Sequence, residues 1–363
     1  MRLAITGLGI LSTLGEDVVT ACAALRCGLA RPAPLSFEVF SEDEEEGTTR
    51  VMGHPLKGIA DGYEGLGLYT RLAAQALQDL VRYADLNVGD SAFWRATTLY
   101  LCLSPPRNEE LGFILEKLFA ERLIPSVLDE AGLPIPPGSA RLVTQGHASV
   151  LAALHAASKD IEAGRCSRAV VVGVDSLVGE DELAWLAQQG RLKVGEKVAG
   201  LMPGQAGAAV LVEHEQEARR RQARIEAHLE GLALGKEEQC RAQRQRGSGA
   251  GVADVITRTL KGHPRVSEVY SDLNGEEARA FEWGSALVRL SPAHELPVSI
   301  HCPAISLGDT GAASGAVSIV AAVRSLVRGY ARGDEILVWS SSDTGEVASA
   351  LLTQAKGPRE PGR

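Results

Sequence analysis

Small, apolar and polar positions follow the same order in two stretches of the chain. Residues 146–173 read GHASVLAALHAASKDIEAGRCSRAVVVG, and residues 311–338 read GAASGAVSIVAAVRSLVRGYARGDEILV. Each opens on a turn of small residues, runs through an apolar stretch of helical spacing to a glycine eighteen residues from its start (Gly164, Gly329), and ends in an unbroken apolar run. The middle part predicts a helix and the last part a buried strand. One supersecondary unit is therefore present twice, 165 positions apart.

The correspondence extends outward from these units. A strand pattern at residues 2–8 has a counterpart at 224–234, a helical pattern at 68–83 has a shorter one at 251–260, and the apolar run 97–103 matches 266–273. Beyond the repeated helix, strands at 169–174 and 206–212 match 335–340 and 347–353. Continuous apolar strands alternating with helices predict sheets covered on both faces. Two halves, 1–215 and 222–355, joined near 213–222, would stack their repeated helices between two sheets. The end of the chain, 356–363, holds two prolines and two glycines and predicts a flexible tail.

Composition narrows the function classes. The 363 residues are 45% apolar but only 4% aromatic, so the core is built from Ala, Val and Leu with many glycines. A formal charge of −9 offers no basic face for phosphates, and the Arg-rich run 219–224 reads as a solvated helix or linker; nucleic acid is not an expected partner. The six cysteines lack CxxC spacing, which predicts reduced, structural thiols of a cytoplasmic protein, without bound zinc or a disulfide framework. Glycines interrupt the opening MRLAITGLGILSTLG, which suits a strand entering a turn rather than a signal peptide, and no run of eighteen apolar residues predicts a membrane span. The acidic stretch 41–46 reads as a surface loop.

Four blocks carry a resemblance. The opening ITGLGILSTLGEDVVTACAALRCG, then SVLAALHAASKDIEAGRCSRAVVVGVDS, GLMPGQAGAAVLVEHEQEARRRQARIEAHLEG and LGDTGAASGAVSIVAAVRSL, fall in the order of similar blocks in the β-ketoacyl-acyl-carrier-protein synthases. The chain resembles a thiolase-fold condensing enzyme over nearly its whole length, with residues 32–140 matching loosely. The resemblance implies an α/β fold, a thiolase-like five-layer α-β-α-β-α sandwich built from two duplicated halves.

It also implies where the chemistry would lie. In the family a cysteine at the N-terminus of the first repeated helix is the nucleophile, its thiolate favoured by backbone N–H groups and the helix dipole. Counting back from Gly164 puts that position on His147, with Gln145 two residues earlier. The family's two histidines, which stabilise the enolate formed by decarboxylation, fall on Asp272 in YSDLNGE and Asp309 in LGDTG, 37 residues apart. The supporting lysine is absent from the region of Pro303, Ala304 and Ile305, and the final glycine-rich turn is replaced by Ser340, Ser341, Ser342 and Asp343. A carboxylate beside a developing enolate at ~4 Å would add about 4 kcal/mol of repulsion.

His147, Asp272, Asp309 and Asp343 are thus expected to converge, with Gln145, Asn274, Glu276 and Ser341 in the same pocket. Three readings follow. One is a non-condensing homologue that acts by binding or dimerisation in acyl or polyketide-type metabolism. Another is a reshaped acyltransferase or thioesterase in which His147, oriented by Asp272 or Asp309, is base or acyl acceptor. The third is a module whose acidic pocket binds a ligand or metal; no cofactor or resident metal is otherwise implied. The resemblance further implies a homodimer, or a heterodimer with an active ketosynthase, and an acyl-carrier protein or acyl-coenzyme A as further partner.

Other residues have simpler expectations. His155 reads as a core histidine, Trp283 and Glu282 as residues that pack and cap a helix, and GLGILSTLG as a structural turn rather than a phosphate loop. Gly204 and Gly207 suit a close backbone approach. Arg191, Lys193 and Lys197 read as a charged loop, either solvated or facing an acidic carrier protein. The run 97–103 reads as a central strand that, in the family's manner, lies near the dimer axis.

Overall fold

The computed structural model describes residues 2–40, 47–106, 109–195, 197–291, 294–297 and 300–355. The expected acidic loop at 41–46 and tail at 356–363 lie outside the described residues. Twelve strands are present in that set: β1 (Leu3–Leu11), β2 (Ala33–Phe40), β3 (Thr48–Gly53), β4 (Thr97–Cys102), β5 (Ala140–Val143), β6 (Arg168–Ser176), β7 (Gln205–His214), β8 (Ala227–Lys236), β9 (Glu268–Ser271), β10 (Ile300–His301), β11 (Glu335–Ser341) and β12 (Glu346–Gln354).

Ten of them form one sheet, and β2 and β3 pair separately. Read outward from its middle, the large sheet runs β1-β7-β6-β4-β5 on one side and β8-β12-β11-β9-β10 on the other. The directions repeat as well. In each array the first two pairings are antiparallel and the last two parallel. One departure from the sequence expectation lies at the middle, where β1 and β8 pair antiparallel through Leu3↔Leu229, Ala4↔His228 and Ile5↔Ala227, so the two expected sheets share an edge. The pairing satisfies main-chain groups that two separate sheets would each leave open.

Period-two alternation divides the core into layers. Ala169 and Val171 of β6 and Val210 and Val212 of β7 face inward, where they pack with Ile336 and Val338 of β11 and Ala350 and Leu352 of β12 around the helices Ser149–Glu162 and Ser314–Val327. Val170 and Val172 face the opposite side and meet Leu72, Leu77 and Leu80 of the helix Gly65–Tyr83. On the other half, Leu337, Trp339 and Leu351 meet Val252 and Ile256 of the helix Ala250–Thr259 and Trp283 of the helix Glu277–Leu290. Helix, sheet, paired central helices, sheet and helix make the five layers.

The two central helices each have 14 residues and follow a single 3-10 turn, Gly146–Ala148 in one and Gly311–Ala313 in the other. Gly311 has φ of 51°, and a Cβ there would come within 2.1 Å of Asp175 Oδ2. That carboxylate accepts a 2.8 Å hydrogen bond from Ala312 N, so the end of β6 holds the start of the second central helix. The second helix is buried on every side, which explains why its sequence is apolar all round.

Smaller expectations resolve alongside. Gly204 and Gly207 do sit where a Cβ would strike backbone, Leu307 O at 2.2 Å and Leu72 O at 2.3 Å. Trp283 stacks on Trp339 with centroids 4.8 Å apart. Glu282 does not cap its helix; it turns inward and accepts a 3.1 Å hydrogen bond from Ser341 Oγ. His155 is half-buried rather than enclosed. All six cysteines are free, and no helix among the described residues is long and apolar enough to cross a membrane.

Candidate functional site

The turn before the first central helix, the turn before the second, and the segments that follow the parallel strands β9 and β11 meet at one place. His147 comes from the first turn, Asp309 from just ahead of the second, Asp272, Asn274 and Glu276 from the segment after β9, and Ser341 and Asp343 from the end of β11. His147 Nε2 lies 2.8 Å from Asp309 Oδ1, which also accepts from Gly311 N at 2.9 Å. Asp309 Oδ2 accepts from Asn274 Nδ2 at 2.6 Å, and the same amide nitrogen reaches Glu276 Oε2 at 3.0 Å. Asp272 Oδ2 accepts from Ser341 N at 2.9 Å. Gln145 joins through its backbone instead of its side chain: its N–H donates to Ser149 Oγ at 2.7 Å and its carbonyl accepts from Ser342 Oγ.

The acidic pocket expected from the sequence carries its own cations. Arg279, on the helix Glu277–Leu290 and only 5% exposed, donates to Ser341 O at 2.5 Å and lies 3.4 Å from both Asp272 Oδ2 and Asp343 Oδ1. Its Nη2 is 3.2 Å from His147 Nδ1. Arg191, assigned above to a charged loop, is in fact 4% exposed and grips Glu276 with two bonds, Nε to Oε1 at 2.9 Å and Nη2 to Oε2 at 2.8 Å. Its Nη1 also donates to Asp343 Oδ2 at 2.5 Å. Arg241 adds a contact to Glu276 Oε1 at 3.0 Å. Lys193 and Lys197 alone of that loop's three cations stay exposed.

Three guanidiniums therefore face four carboxylates, which leaves room for one more positive charge or one proton. Burial would raise the Asp309 carboxyl, but His147, then Arg279 and Asn274, hold it well below the usual carboxylate range. Burial likewise works against ionised Asp343, and Arg191 and Arg279 overcome it to bring its pKa down. Asp272 shifts the other way: burial outweighs Arg279 and His147 and raises it, and its Oδ1 has no hydrogen-bond partner among the described residues. For His147, burial and Arg279 oppose the imidazolium while Asp309 favours it, with a net upward shift. Burial pushes Glu282, beside Arg279 and Asp272, up to about 7.

The N-terminus of the first central helix is also occupied. Ala148 N donates to Ser342 Oγ at 3.0 Å, so the hydroxyl from the β11 turn takes the amide that would otherwise face a bound group. Two small cavities border the cluster. One of about 30 Å³ is bordered by Cys240, Arg241, Arg279, Glu282 and Asp343, and one of about 10 Å³ by Asp272, Asp309, Thr310 and Ser314. The second is the size of a single water. Cys240, the thiol that borders the first, belongs to the segment after β8 and not to the central helix. Among the described residues no group of three or more His, Cys, Asp or Glu side chains is placed to hold a metal ion.

Solved structures with this arrangement of strands and helices include ketosynthases. The ishigamide ketosynthase/chain length factor superposes with a TM-score of 0.75 at 17% identity, over 98% of this chain and 99% of its own. An oxazolomycin ketosynthase domain from Streptomyces albus gives 0.78 at 16%, over 100% and 77%. A β-ketoacyl synthase from Burkholderia phymatum gives 0.75 at 17%, over 98% and 100%. The fold is that of the ketosynthases. No family model matches the chain, and no curated protein matches it. The ketosynthase fold accounts for the duplicated sheet order; the chemistry has to be argued from the residues of the cluster.

The cations were missed because nothing local marks them. Arg279 stands three residues after Glu276 in GEEARA, a spacing that on most helices is an exposed charge pair. A paired acidic turn at Asn274–Glu276 facing a histidine and two aspartates was the one available signal that a counter-charge had to come from somewhere.

Proposed function

We propose that this protein is a non-condensing ketosynthase homologue, which acts by binding or dimerisation in acyl or polyketide-type metabolism. The single observation that carries the reading is the Arg279 side chain, clamped among Asp272, Asp343 and Ser341 O with its Nη2 3.2 Å from His147. If His147 stands at the nucleophile position, as the sequence resemblance implies, a guanidinium and its carboxylates fill the place where an acyl group would be attacked. Condensation needs a thiolate, free N–H donors for a developing oxyanion, and room for a chain. Imidazole forms no thioester, only a readily hydrolysed acyl-imidazole, Ala148 N is taken by Ser342, and the adjoining cavities of about 30 and 10 Å³ are too small for a chain.

The His147–Asp309 pair also resembles the oriented base of a hydrolase, which keeps the thioesterase reading in view. Against it stands the other ring nitrogen. Nδ1 receives Arg279, so no basic lone pair is left for water.

For partners, the reading takes a homodimer or a heterodimer with an active ketosynthase, in the cytoplasm, with an acyl-carrier protein or acyl-coenzyme A docking to the pair. Two neighbours support it: a ketosynthase/chain length factor, and a type II acyl-carrier protein in complex with its ketosynthase. Thr97–Cys102 is hydrogen-bonded on both sides, by β5 and β6, so a strand pairing across a twofold on this side of the sheet would use β5. Incubation with acyl-coenzyme A and acyl-carrier thioesters followed by intact-mass measurement tests the reading, with size-exclusion chromatography alongside. No mass increase and no release of carbon dioxide from malonyl thioesters is expected. A stable acyl adduct overturns it.

A further inference from the structure

A larger cavity lies next to this cluster and shares Pro303 with the small cavity at Asp272 and Asp309. About 460 Å³ in volume, it opens between the helix Val18–Arg26, the strands β9 and β10, the segment 302–306 and the turn after the second central helix. Its size falls within the range of small-molecule sites. The duplication does not account for it: between β8 and the helix Ala250–Thr259, the only counterpart of the helix Val18–Arg26, which forms one wall, is the three-residue 3-10 turn Arg241–Gln243.

The lining is divided by chemistry. Leu25, Cys22, Ala321 and Ile300 supply apolar walls, and Ile305 keeps an aliphatic side chain 76% exposed at the opening. Tyr270 and His301 stack with ring centroids 4.5 Å apart and planes 17° from parallel, presenting a flat face. Glu268, little exposed, also lines the cavity, with Oε2 3.6 Å from His301 Nε2 and Oε1 accepting from Arg332 N at 3.0 Å, so the imidazole and the turn offset its charge. Two guanidiniums complete the lining, Arg26 and Arg332, both exposed. Arg26 is held over the Tyr330 ring, 4.3 Å from its centroid. Neither forms an ion pair with a carboxylate among the described residues, although the chain carries a net charge of −9 and most of its arginines in the cluster above are paired.

We propose that this cavity binds a small organic anion, an aryl or short alkyl body carrying one acidic group. The body lies against Tyr270, His301 and Ala321, and the acidic group meets Arg26 and Arg332. Apolar walls with a few converging charged groups are the usual composition of such sites, and guanidinium bonds to an anion are among the stronger polar contacts. The inference does not depend on the reading of the His147 cluster.

Fluorescence titration of the full chain with 8-anilinonaphthalene-1-sulfonate tests it, since that probe joins an aryl body to one anionic group. One saturable site is expected, weakened by about tenfold or more in Arg26→Glu/Arg332→Glu, the scale of a lost charge-assisted hydrogen bond. Decanoate should displace the probe and neutral decanol should not at the same concentration. Both substitutions are at exposed positions, and unchanged circular dichroism would show that the fold persists. Binding within about twofold of wild type after the double substitution, equal displacement by decanol, or loss of binding in Val288→Asp on the opposite outer helix instead, would each overturn the proposal.

Discussion

Arg279 Nη2 sits 3.2 Å from His147 Nδ1, while His147 Nε2 sits 2.8 Å from Asp309 Oδ1. A guanidinium nitrogen has no lone pair, so Nδ1 accepts and Nε2 donates, an assignment made from the network. The ring that makes both bonds is neutral and has neither nitrogen to spare. A histidine held this way fixes the two halves of the molecule against each other, since Asp309 lies just ahead of the second repeat and His147 in the opening turn of the first.

Removing the central cation should be costly. Arg279→Ala leaves Asp272 without its cation in a buried setting and takes one of three guanidiniums from Asp343, and about 3–5 kcal/mol of stability should be lost in urea unfolding. Arg279→Met combined with Asp272→Asn and Asp343→Asn should recover much of that, because the cost lies in the unpaired charges. An additive loss in the triple variant would show that packing, not charge, is what Arg279 provides.

Stability should fall as the pH rises from 5 to 8, with nearly all of the fall below about 7. Glu282 titrates near 7 in the fold against an ordinary value of 4.5, so the folded state keeps a proton that the unfolded chain has given up. For a raised acid the stabilisation is complete below the unfolded value and gone above the folded one. The upward shift of Asp272 acts with the same sign. Glu282→Gln should flatten the profile and add up to about 3 kcal/mol at pH 8, read from thermal unfolding at both pH values. A slope unchanged by that substitution would place its origin elsewhere.

Two glycines with similar backbone angles should respond differently to alanine. Gly164 (φ 68°) has open space where a Cβ would go, so Gly164→Ala should cost only the left-handed strain of about 1–2 kcal/mol. Gly311 (φ 51°) adds the clash with Asp175 Oδ2, and Gly311→Ala should exceed that by a clear margin in chemical denaturation. Equal costs would mean that Asp175 moves freely and does not anchor the second central helix.

Restoring sulfur alone should not restore chemistry. His147→Cys puts a thiol at a helix N-terminus beside Arg279, conditions that favour the thiolate. Asp272 and Asp309 still supply no donor to an oxyanion, and Ser342 still holds Ala148 N. Intact mass after exposure to acyl thioesters should therefore remain that of the unmodified protein. An acylated His147→Cys variant would mean that one substitution, and not the whole cluster, blocks the reaction.

The sequence alone determined the duplication and most of the element order. Period-two apolar runs, the helical stretch between them and the glycines Gly164 and Gly329 are local signals, written within a few residues of where they act, and they appear in the structure as the paired central helices and matching strands. Some bounds moved: the run 266–273 shortened to Glu268–Ser271, and the strand expected from 224 begins at Ala227. His147, Asp272, Asp309, Asn274, Glu276, Ser341 and Asp343 were named together because the family resemblance lines them up, and they do lie in one hydrogen-bonded cluster.

Only the tertiary structure decided what neutralises that cluster. Arg191, Arg241 and Arg279 have the local pattern of ordinary surface charges, and the partners that bury them are as many as 152 positions away, as for Arg191 and Asp343. The joining of the two arrays through β1 and β8 is of the same kind, since strand edges carry no mark of which edge they will meet. Period and propensity act between neighbours in sequence; charge pairing and edge pairing act through space, and they exist only once the two halves have been brought together.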